Sequence, residues 1–280
     1  MTDEIFGLYS ELYEIACKED DTRLKTFADN QFYGRFLELP ADVVGYNRYF
    51  GWYKEAGSAE NFGEWLDLYH NEKEKRPVCL SEYGGGGAIS QHKDNVDWES
   101  DIDPVGVRHY ENYQSQLHEI LWKQFSVRKY LWAEFIWCMF DFASYGRTEG
   151  DTKSLNDKGL CTRERIPKDV YFFYRSVWSS EKTVYITERR HEFRACDVPF
   201  VKVYSNADAV ELCINDVSHG RISRCELPND ESTVFVWENI KIKPDTKNKI
   251  CAKAYFSDGT SRTDYAFWTG KYCLLYTSDA

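Results

Sequence analysis

The sequence has no stretch of 18 consecutive apolar residues, and it has fewer basic than acidic side chains. The first absence excludes a membrane-spanning helix of ordinary length. The charge balance, 35 Lys and Arg against 46 Asp and Glu, gives a net charge of −11 at pH 7. A surface for nucleic acid needs a positive field against the phosphates. We therefore expect neither a nucleic acid nor a membrane as a partner, whereas an uncharged substrate is indifferent to this sign.

Motifs for metals and phosphates are also missing. The nine cysteines form no Cys-x-x-Cys pair, and the six histidines form no cluster at zinc-ligand spacing. The scattered cysteines are expected to be reduced core thiols, and the histidines surface or loop groups. The glycine run at 84–87 is not followed by Gly-Lys-Ser/Thr, which excludes a phosphate-binding loop. No metal and no cofactor are therefore expected.

Aromatic side chains, by contrast, are abundant: 9 Trp, 20 Tyr and 17 Phe make up 16% of the chain. Two interpretations stay open at this point. Aromatic rings fill the cores of barrels and sandwiches, and their flat faces also suit the C–H face of a sugar ring. Composition alone favours packing over sugar binding.

Up to about residue 182, helical and strand patterns alternate. Apolar residues at positions 5, 8, 12 and 15 predict an amphipathic helix over 3–18. Further helices are predicted from Asn61 in a capping box, over 108–128, and from Pro167 in a first helical turn. Apolar segments predict strands at 23–28, 43–46, 78–80 and 131–140. This order is typical of a parallel sheet with crossover helices, and it predicts strands 5–8 of a partial (β/α)8 TIM barrel.

The pattern changes after Trp178. From residue 183 to 270, short alternating segments are separated by turn signals such as Ser257-Asp258-Gly259, and no helical period occurs. This spacing predicts a small antiparallel, all-β sandwich of the immunoglobulin-like type. The predicted organisation is thus an α/β domain over 1–182 and a sandwich over 183–270.

Polar side chains follow the predicted strands, where the catalytic groups of parallel barrels lie. Glu82 comes after the apolar segment 78–80 and before the glycine run, which presents its carboxylate at the mouth of the sheet. From this context alone, catalytic and structural roles are equally open. Tyr49 is placed to orient such a carboxylate and Trp137 to form a sugar platform, with packing as the alternative for both. No Ser, Cys or His constellation competes for the role of nucleophile.

Four motifs occur in a fixed order: 47–53 (Asn-Arg-Tyr-Phe-Gly-Trp-Tyr), 80–84 (Leu-Ser-Glu-Tyr-Gly), 135–144 (Phe-Ile-Trp, then Met-Phe-Asp-Phe-Ala-Ser) and 156–160 (Asn-Asp-Lys-Gly-Leu). Together they resemble glycoside hydrolase family 2, which contains β-galactosidases, β-glucuronidases and β-mannosidases. The resemblance covers residues 1 to about 190, and the following segment is similar to the domain after the barrel in these enzymes. It implies a retaining β-glycosidase with two carboxylates at the scissile bond.

The resemblance also implies a role for each matching residue near the strand ends. Glu82 matches the nucleophile, and Asn47 and Tyr49 match the pair of strand-end residues beside it. Trp137 matches a tryptophan at the sugar site. These four residues are the predicted catalytic and sugar-binding groups of this part of the chain.

Two further motifs bear on the sugar. Asn156 and Lys158 match an Asn-x-Lys element that contacts the sugar carboxylate in β-glucuronidases and also occurs in β-galactosidase-like members. The stretch Asp141–Ser144, with the following Gly146–Asp151, is more similar to the β-galactosidase branch. We therefore favour a β-galactosidase from the sequence.

One element of the family pattern is missing. The family's acid/base glutamate directly follows an Asn at the end of the strand before the helix that matches 3–18, and no such pair precedes that helix here. We therefore expect the C-terminal half of a longer enzyme, inactive by itself. Residues 271–280 are expected to be a tail encoded by a sequencing adapter, because 273–280 back-translates to the reverse complement of a common transposon-based adapter.

The sequence thus predicts a fragment of a retaining, exo-acting β-galactosidase that acts on terminal β-linked sugars through a glycosyl-enzyme. Two alternatives stay open: a β-glucuronidase of the same family, and a noncatalytic carbohydrate-binding relic, which the missing acid/base also fits. A carbohydrate substrate is the expected partner. A homo-oligomeric parent enzyme, and a location in the cytoplasm or the periplasm of a bacterium, are both left open.

Overall fold

The structure is a computed structural model that describes residues 1–31, 34–228 and 232–271. Its α-helices are α1 (Asp3–Glu19), α2 (Phe62–Glu72), α3 (Trp98–Asp101), α4 (Glu111–Phe125) and α5 (Asp169–Trp178). Its strands are β1 (Ala28–Asp29), β2 (Val44–Asn47), β3 (Val78–Tyr83), β4 (Leu131–Ile136), β5 (Phe142–Ala143), β6 (Leu155–Asn156), β7 (Val184–Ile186), β8 (Phe193–Ala195), β9 (Asp197–Ser205), β10 (Ala209–Ile214), β11 (Val217–Ser223), β12 (Val234–Lys241), β13 (Lys247–Tyr255) and β14 (Ser261–Lys271). Among the described residues, none of the helices combines the length and apolar character needed to cross a membrane.

The chain divides into two compact units. Unit 1 comprises Met1–Gly86 and Gln116–Met139, and unit 2 comprises Gly87–Ser115 and the chain from Phe140 onward. This division does not coincide with the predicted boundary at 182/183, which stays a prediction. Of the predicted tail, Lys271 is the last residue of β14, and 272–280 lie outside the described residues.

Unit 1 is built on a parallel sheet with the order β1-β2-β3-β4, which confirms the predicted α/β class. The sheet is apolar where helices cover it: Val44 and Leu80 are fully buried, as are Leu117 and Leu121 on one face of α4. Burying a side chain of this size contributes roughly 1.5–3 kcal/mol, so the burial of these residues stabilises the sheet that carries the strand ends.

The helix α1 confirms the predicted range, but its apolar stripe is uncovered. Ile5, Leu8, Leu12 and Ile15 are all about half-exposed, and no residue of the helix is buried. The edge strand β4 is also half-exposed, at Trp132 and Phe135, although strands with both faces covered were expected. Unit 1 thus presents two apolar surfaces to solvent.

Several predicted boundaries in unit 1 are wrong for local reasons. The strand expected at 23–28 is reduced to β1, because the backbone of Lys25 is bonded to Asp42. The Lys25 N–H donates to the Asp42 carboxylate, and the Lys25 carbonyl accepts from the Asp42 backbone N–H. The capping box at Asn61 does not form, because Asn61 is itself in a 3₁₀ turn and makes no capping hydrogen bond. The strand expected at 131–140 ends at Ile136.

Unit 2 contains three sheets: a five-stranded sheet β11-β10-β13-β14-β8, a three-stranded sheet β12-β9-β7 and the hairpin β5-β6. The two larger sheets share one apolar core, which includes Val203 and Phe235 from the smaller sheet and Leu212, Ile250 and Trp268 from the larger. The alternation of buried and outward residues along β13 and β14 is the period that the sequence showed.

The pairing in unit 2 also departs from the expectation. Strand β8 pairs with β14 in parallel, not antiparallel, and β7, β8 and β11 were not predicted. The helix α5 begins after Lys168, so Pro167 lies before the first turn and not in it. The eight described cysteines are free thiols, as predicted, but only Cys79 and Cys161 are buried.

Candidate active site

Glu82 lies at the carboxyl end of β3, one residue before the end of the strand. Its Cα is in register with Asn47, the last residue of the parallel neighbour β2. The backbone N–H of Arg48 donates to the Glu82 carbonyl over 2.8 Å, which continues the pairing past β2. Two parallel strands thus deliver Asn47 and Glu82 to the same edge of the sheet.

Tyr49 donates a hydrogen bond to the Glu82 carboxylate, with 2.6 Å between the phenol oxygen and Oε2. Burial, and secondly this hydrogen bond, raise the pKa of Tyr49 well above its usual value. The phenol therefore stays protonated and continues to donate. Glu82 Oε1 accepts no hydrogen bond from the described residues, so one carboxylate oxygen is oriented and the other is available to react.

Two glycines allow this close arrangement of strand ends. A Cβ on Gly45 would lie 2.9 Å from the Ser81 side chain, and the Ser81 hydroxyl donates to Asn47 Oδ1 over 2.7 Å. Gly84 has φ +126°, and a Cβ there would lie 2.8 Å from the His118 ring. The chain leaves β3 through a conformation that favours glycine, against a helix packed at contact distance.

Trp137 follows β4 and does not lie inside a strand. The backbone N–H of Trp137 donates to the Tyr83 carbonyl over 3.0 Å, which places Trp137 beside the end of β3. The next residue, Cys138, is close enough to Tyr49 to contribute to the rise of its pKa. The indole is partly exposed, in contrast to a core tryptophan such as Trp52. The predicted role as a sugar platform stays a prediction.

Asn156 and Lys158 lie in unit 2, at the end of β6. The backbone N–H of Lys158 donates to Asn156 Oδ1 over 3.1 Å, which closes an Asx-turn. Both side chains are almost fully buried. The predicted role of this pair in sugar binding stays a prediction.

The buried ion pair of Lys168 and Asp141 is bonded to this turn through the Asp157 carbonyl. Lys168 Nζ lies 2.8 Å from Asp141 Oδ1 and 2.8 Å from the Asp157 carbonyl, and Gly159 N–H donates to the same Asp141 oxygen over 2.8 Å. Burial raises the pKa of Asp141 to about 6, although Lys168 lowers it. The carboxylate of Asp141 is thus bonded inside the protein.

The sequence reasoning missed the histidines of this region. His109 and His118 are both buried. His109 lies in a loop, as expected, but His118 lies on α4, so its assignment to the surface or to loops is wrong. His109 Nδ1 lies 2.7 Å from Asp157 Oδ2. Burial pushes the pKa of Asp157 upward, but His109 and the neighbouring lysines outweigh it and lower the pKa. Burial lowers the pKa of His118 to about 3, so it is neutral at physiological pH. The apolar stripe of α4 was the signal that pointed to burial of His118, one residue after Leu117.

One cluster in unit 2 has side chains of the kind that bind metals. Ligand atoms of Asp94, Glu188 and His191 lie within 4.8 Å of one another. The guanidinium of Arg194 donates to Asp94 and lies 2.9 Å from Glu188 Oε2. Burial, and secondly Arg194, lower the pKa of His191 to about 4. Arg194 supplies the positive charge here, and the cluster is an ion-pair network.

The predicted residues therefore fall into two groups. Asn47, Tyr49 and Glu82 lie together in unit 1, with Trp137 beside the same strand end, and Asn156 and Lys158 lie together in unit 2. The first group provides an oriented carboxylate next to a protonated phenol, which suits nucleophilic attack. The second is a pair of buried polar side chains in one turn.

Comparison with known proteins gives matches along most of the chain. The family described as glycosyl hydrolases family 2, TIM barrel domain, matches residues 7–183. A domain family of unknown function, DUF4982, matches residues 198–262.

Two curated relatives are similar over most of this chain. A β-glucuronidase of Bacteroides fragilis is 35% identical over 234 residues, which cover 83% of this chain and 32% of that protein. A putative β-glucuronidase of Formosa agariphila is 28% identical over 242 residues, 78% of this chain and 28% of that protein. The chain thus spans about a third of the length of these relatives.

Two solved structures share the fold. An FMN-binding β-glucuronidase of Faecalibacterium prausnitzii superposes with a TM-score of 0.82 and 31% identity, over 96% of this chain and 39% of that one. A putative β-galactosidase of Bacteroides fragilis superposes with a TM-score of 0.83 and 27% identity, over 95% of this chain and 38% of that one.

Proposed function

The chain belongs to glycosyl hydrolase family 2, and we propose that it carries the nucleophile half of the active site of a retaining β-glucuronidase. The observation that carries the proposal is the 2.6 Å hydrogen bond from Tyr49 to Glu82 at the carboxyl edge of a parallel sheet. Catalytic residues of parallel α/β barrels lie at this edge.

In the proposed reaction, Glu82 Oε1 attacks the anomeric carbon of a terminal β-linked sugar. The bond to the leaving oxygen breaks as a covalent glycosyl-enzyme forms, and water then hydrolyses this ester. Tyr49 holds the carboxylate in position, and Trp137 forms one wall of the sugar site. The protonating carboxylic acid comes from a part of the enzyme outside this chain, so the chain alone has little activity.

We propose a uronic acid as the sugar, because Asn156 and Lys158 match the Asn-x-Lys element that contacts the sugar carboxylate in β-glucuronidases. The sequence favoured a β-galactosidase, but the curated relatives described above are β-glucuronidases. The argument for galactose relied on the stretch beginning at Asp141, whose carboxylate is bonded to Lys168 and Gly159. The Asp141 carboxylate thus takes part in internal packing, so we give the curated relatives more weight than the resemblance of this stretch to the β-galactosidase branch.

We further propose that unit 1 is part of a (β/α)8 barrel, strands 5–8, and that the two larger sheets of unit 2 form an immunoglobulin-like sandwich. Strands β1 and β4 each have one partner in the described sheet. The exposed apolar residues of α1 and β4 are the surfaces that further strands and helices of a barrel would cover.

A chimera tests the proposal. The matching segment of the Bacteroides fragilis β-glucuronidase is replaced by this chain, which restores the remaining two-thirds of the enzyme. We expect hydrolysis of nitrophenyl β-glucuronide in preference to nitrophenyl β-galactoside, and loss of turnover in Glu82→Gln. Glu64→Gln, an exposed carboxylate on α2, is the matched control and keeps activity.

Two results would contradict the proposal. Full activity of Glu82→Gln in the chimera would remove Glu82 from the reaction. A preference for the β-galactoside would restore the specificity that the sequence favoured and would separate Lys158 from substrate recognition.

A further inference from the structure

The outward surface of the five-stranded sheet in unit 2 combines aromatic rings with lysines. Outward positions alternate with buried ones along each strand, and they hold Lys247 and Lys249 on β13 and Tyr265 and Phe267 on β14. Phe193 on β8 continues the row, and the three rings are 48, 44 and 53% exposed for Tyr265, Phe267 and Phe193. We call the outward side of β8, β13 and β14, centred on these five residues, the basic–aromatic face.

Each of these rings has an ammonium group near it. Lys247 Nζ lies 4.8 Å from the centre of the Phe267 ring, and Lys249 Nζ lies 5.3 Å from the centre of the Tyr265 ring. At an exposed site such a contact contributes only about 0.5–1 kcal/mol. The lysines can therefore leave the rings when a ligand offers a better partner for both.

The acidic side chains near this face do not neutralise all of its lysines, although the whole chain has a net charge of −11. Lys249 is paired with Asp216 at 3.0 Å and Lys271 with Asp245 at 3.0 Å. Lys247 makes no ion pair with any residue that the structure describes. A ligand with spaced negative charges complements this arrangement, and a neutral one does not use it.

We propose that the basic–aromatic face binds a linear acidic polysaccharide of the uronic-acid class, and thereby holds the polymer whose terminal residue the enzyme removes. This inference rests on the proposed β-glucuronidase function. Sugar rings lie on Tyr265 and Phe267, and the displaced ammonium groups pair with the sugar carboxylates. Residues two apart on a strand are about 6.8 Å apart, so neighbouring rings meet successive sugar residues.

The test uses two probes that differ only in their carboxylates: a β-1,4-linked oligoglucuronate and the cello-oligosaccharide of the same length. Binding to the full chain is measured by calorimetry, with Lys158→Met as the background so that the proposed active site does not contribute. We expect the oligoglucuronate to bind more tightly, with an affinity that falls as salt is added.

Substitutions then locate the binding. The double change Tyr265→Ala and Phe267→Ala is expected to weaken binding by roughly tenfold, while Tyr265→Phe with Phe267→Tyr keeps it. Lys247→Gln reduces the salt dependence. The matched control is Phe200→Ala with Lys241→Gln. These residues lie on β9 and β12 of the three-stranded sheet, which also places an ammonium group near a ring: Lys202 Nζ lies 5.5 Å from the centre of the Phe200 ring.

Several outcomes overturn the inference. These are the absence of oligoglucuronate binding, equal binding of the neutral probe, and equal loss in the control variant. Dextran sulfate binding with an affinity unchanged by the two alanine substitutions would identify a general polyanion surface instead. The result is independent of hydrolysis: an inactive chimera with intact binding refutes only the proposed function, and an active chimera without binding refutes only this inference.

Discussion

Replacing Lys168 by methionine is expected to destabilise unit 2 strongly. The Lys168 side chain is fully buried and Asp141 is 5% exposed, so neither group has access to water. The substitution removes two 2.8 Å hydrogen bonds. It leaves the Asp141 carboxylate buried without its cation, with only the Gly159 N–H as a hydrogen-bond donor to Oδ1. Loss of one partner of a buried ion pair costs about 3–5 kcal/mol. For a unit of this size the melting transition falls by roughly 6–20 °C.

The pH dependence of this effect follows from Asp141. Its pKa in the folded state, about 6, is above the ordinary value of 3.8. A raised carboxyl pKa means that the group favours folding below pH 4 and that this contribution is lost as the pH rises through 6. Without Lys168 the pKa of Asp141 rises further. The destabilisation by Lys168→Met is therefore expected to be larger at pH 8 than at pH 5, where the carboxyl is protonated.

Thermal unfolding followed by circular dichroism at the two pH values measures this prediction. Lys153→Met, an exposed lysine in the loop before β6, is the control and should change the transition by little. A loss below about 1 kcal/mol for Lys168→Met at pH 8, or an equal loss at both pH values, would refute the assigned role of the buried pair.

Three further changes have defined outcomes. Tyr49→Phe removes a hydrogen bond to a charged acceptor, worth about 1.5–3 kcal/mol, and is expected to slow glycosyl-enzyme formation in the chimera roughly 10- to 100-fold and to lower its melting temperature by only a few degrees. An unchanged burst of nitrophenol would show that the bond is incidental. Lys158→Met should reduce kcat/KM on the β-glucuronide by at least about tenfold and spare the β-galactoside, whereas a parallel loss on both substrates would indicate a structural role. Gly84→Ala should destabilise unit 1 by about 1–3 kcal/mol, because φ is +126° and a Cβ would contact a buried ring; Gly7→Ala on α1, where a Cβ meets nothing within 4 Å, is the control and should stabilise the helix by about 1 kcal/mol.

Hydrophobic periodicity predicted the parallel sheet and the longer strands of the sandwich, β9, β10, β12, β13 and β14, because it reports directly on burial. It failed at β1, where the backbone of Lys25 is used by Asp42, and at Asn61, whose capping potential is lost in a 3₁₀ turn. In both cases a local polar group competed with the pattern. Such competition is decided by geometry that only the folded chain provides.

The candidate site shows the same limit. The position of Glu82 after an apolar strand was readable from the sequence, and so was a suitable partner in Tyr49. The Lys168–Asp141 pair was not, because its members are 27 residues apart and the motif that contains Asp141 does not indicate its partner. The β-galactosidase hypothesis thus rested on a stretch whose internal contacts the sequence did not show, and the curated relatives favour the β-glucuronidase alternative.

Covalent trapping tests the central claim about Glu82 most directly. A 2-deoxy-2-fluoro-β-glucuronyl fluoride has a leaving group that needs little protonation, and it accumulates the glycosyl-enzyme of a retaining enzyme. After incubation with the active chimera, peptide mass spectrometry should find the fluoroglucuronyl adduct on the peptide that contains Glu82, and none in Glu82→Gln. An adduct on a different carboxylate, in a chimera that hydrolyses β-glucuronides, would contradict the account.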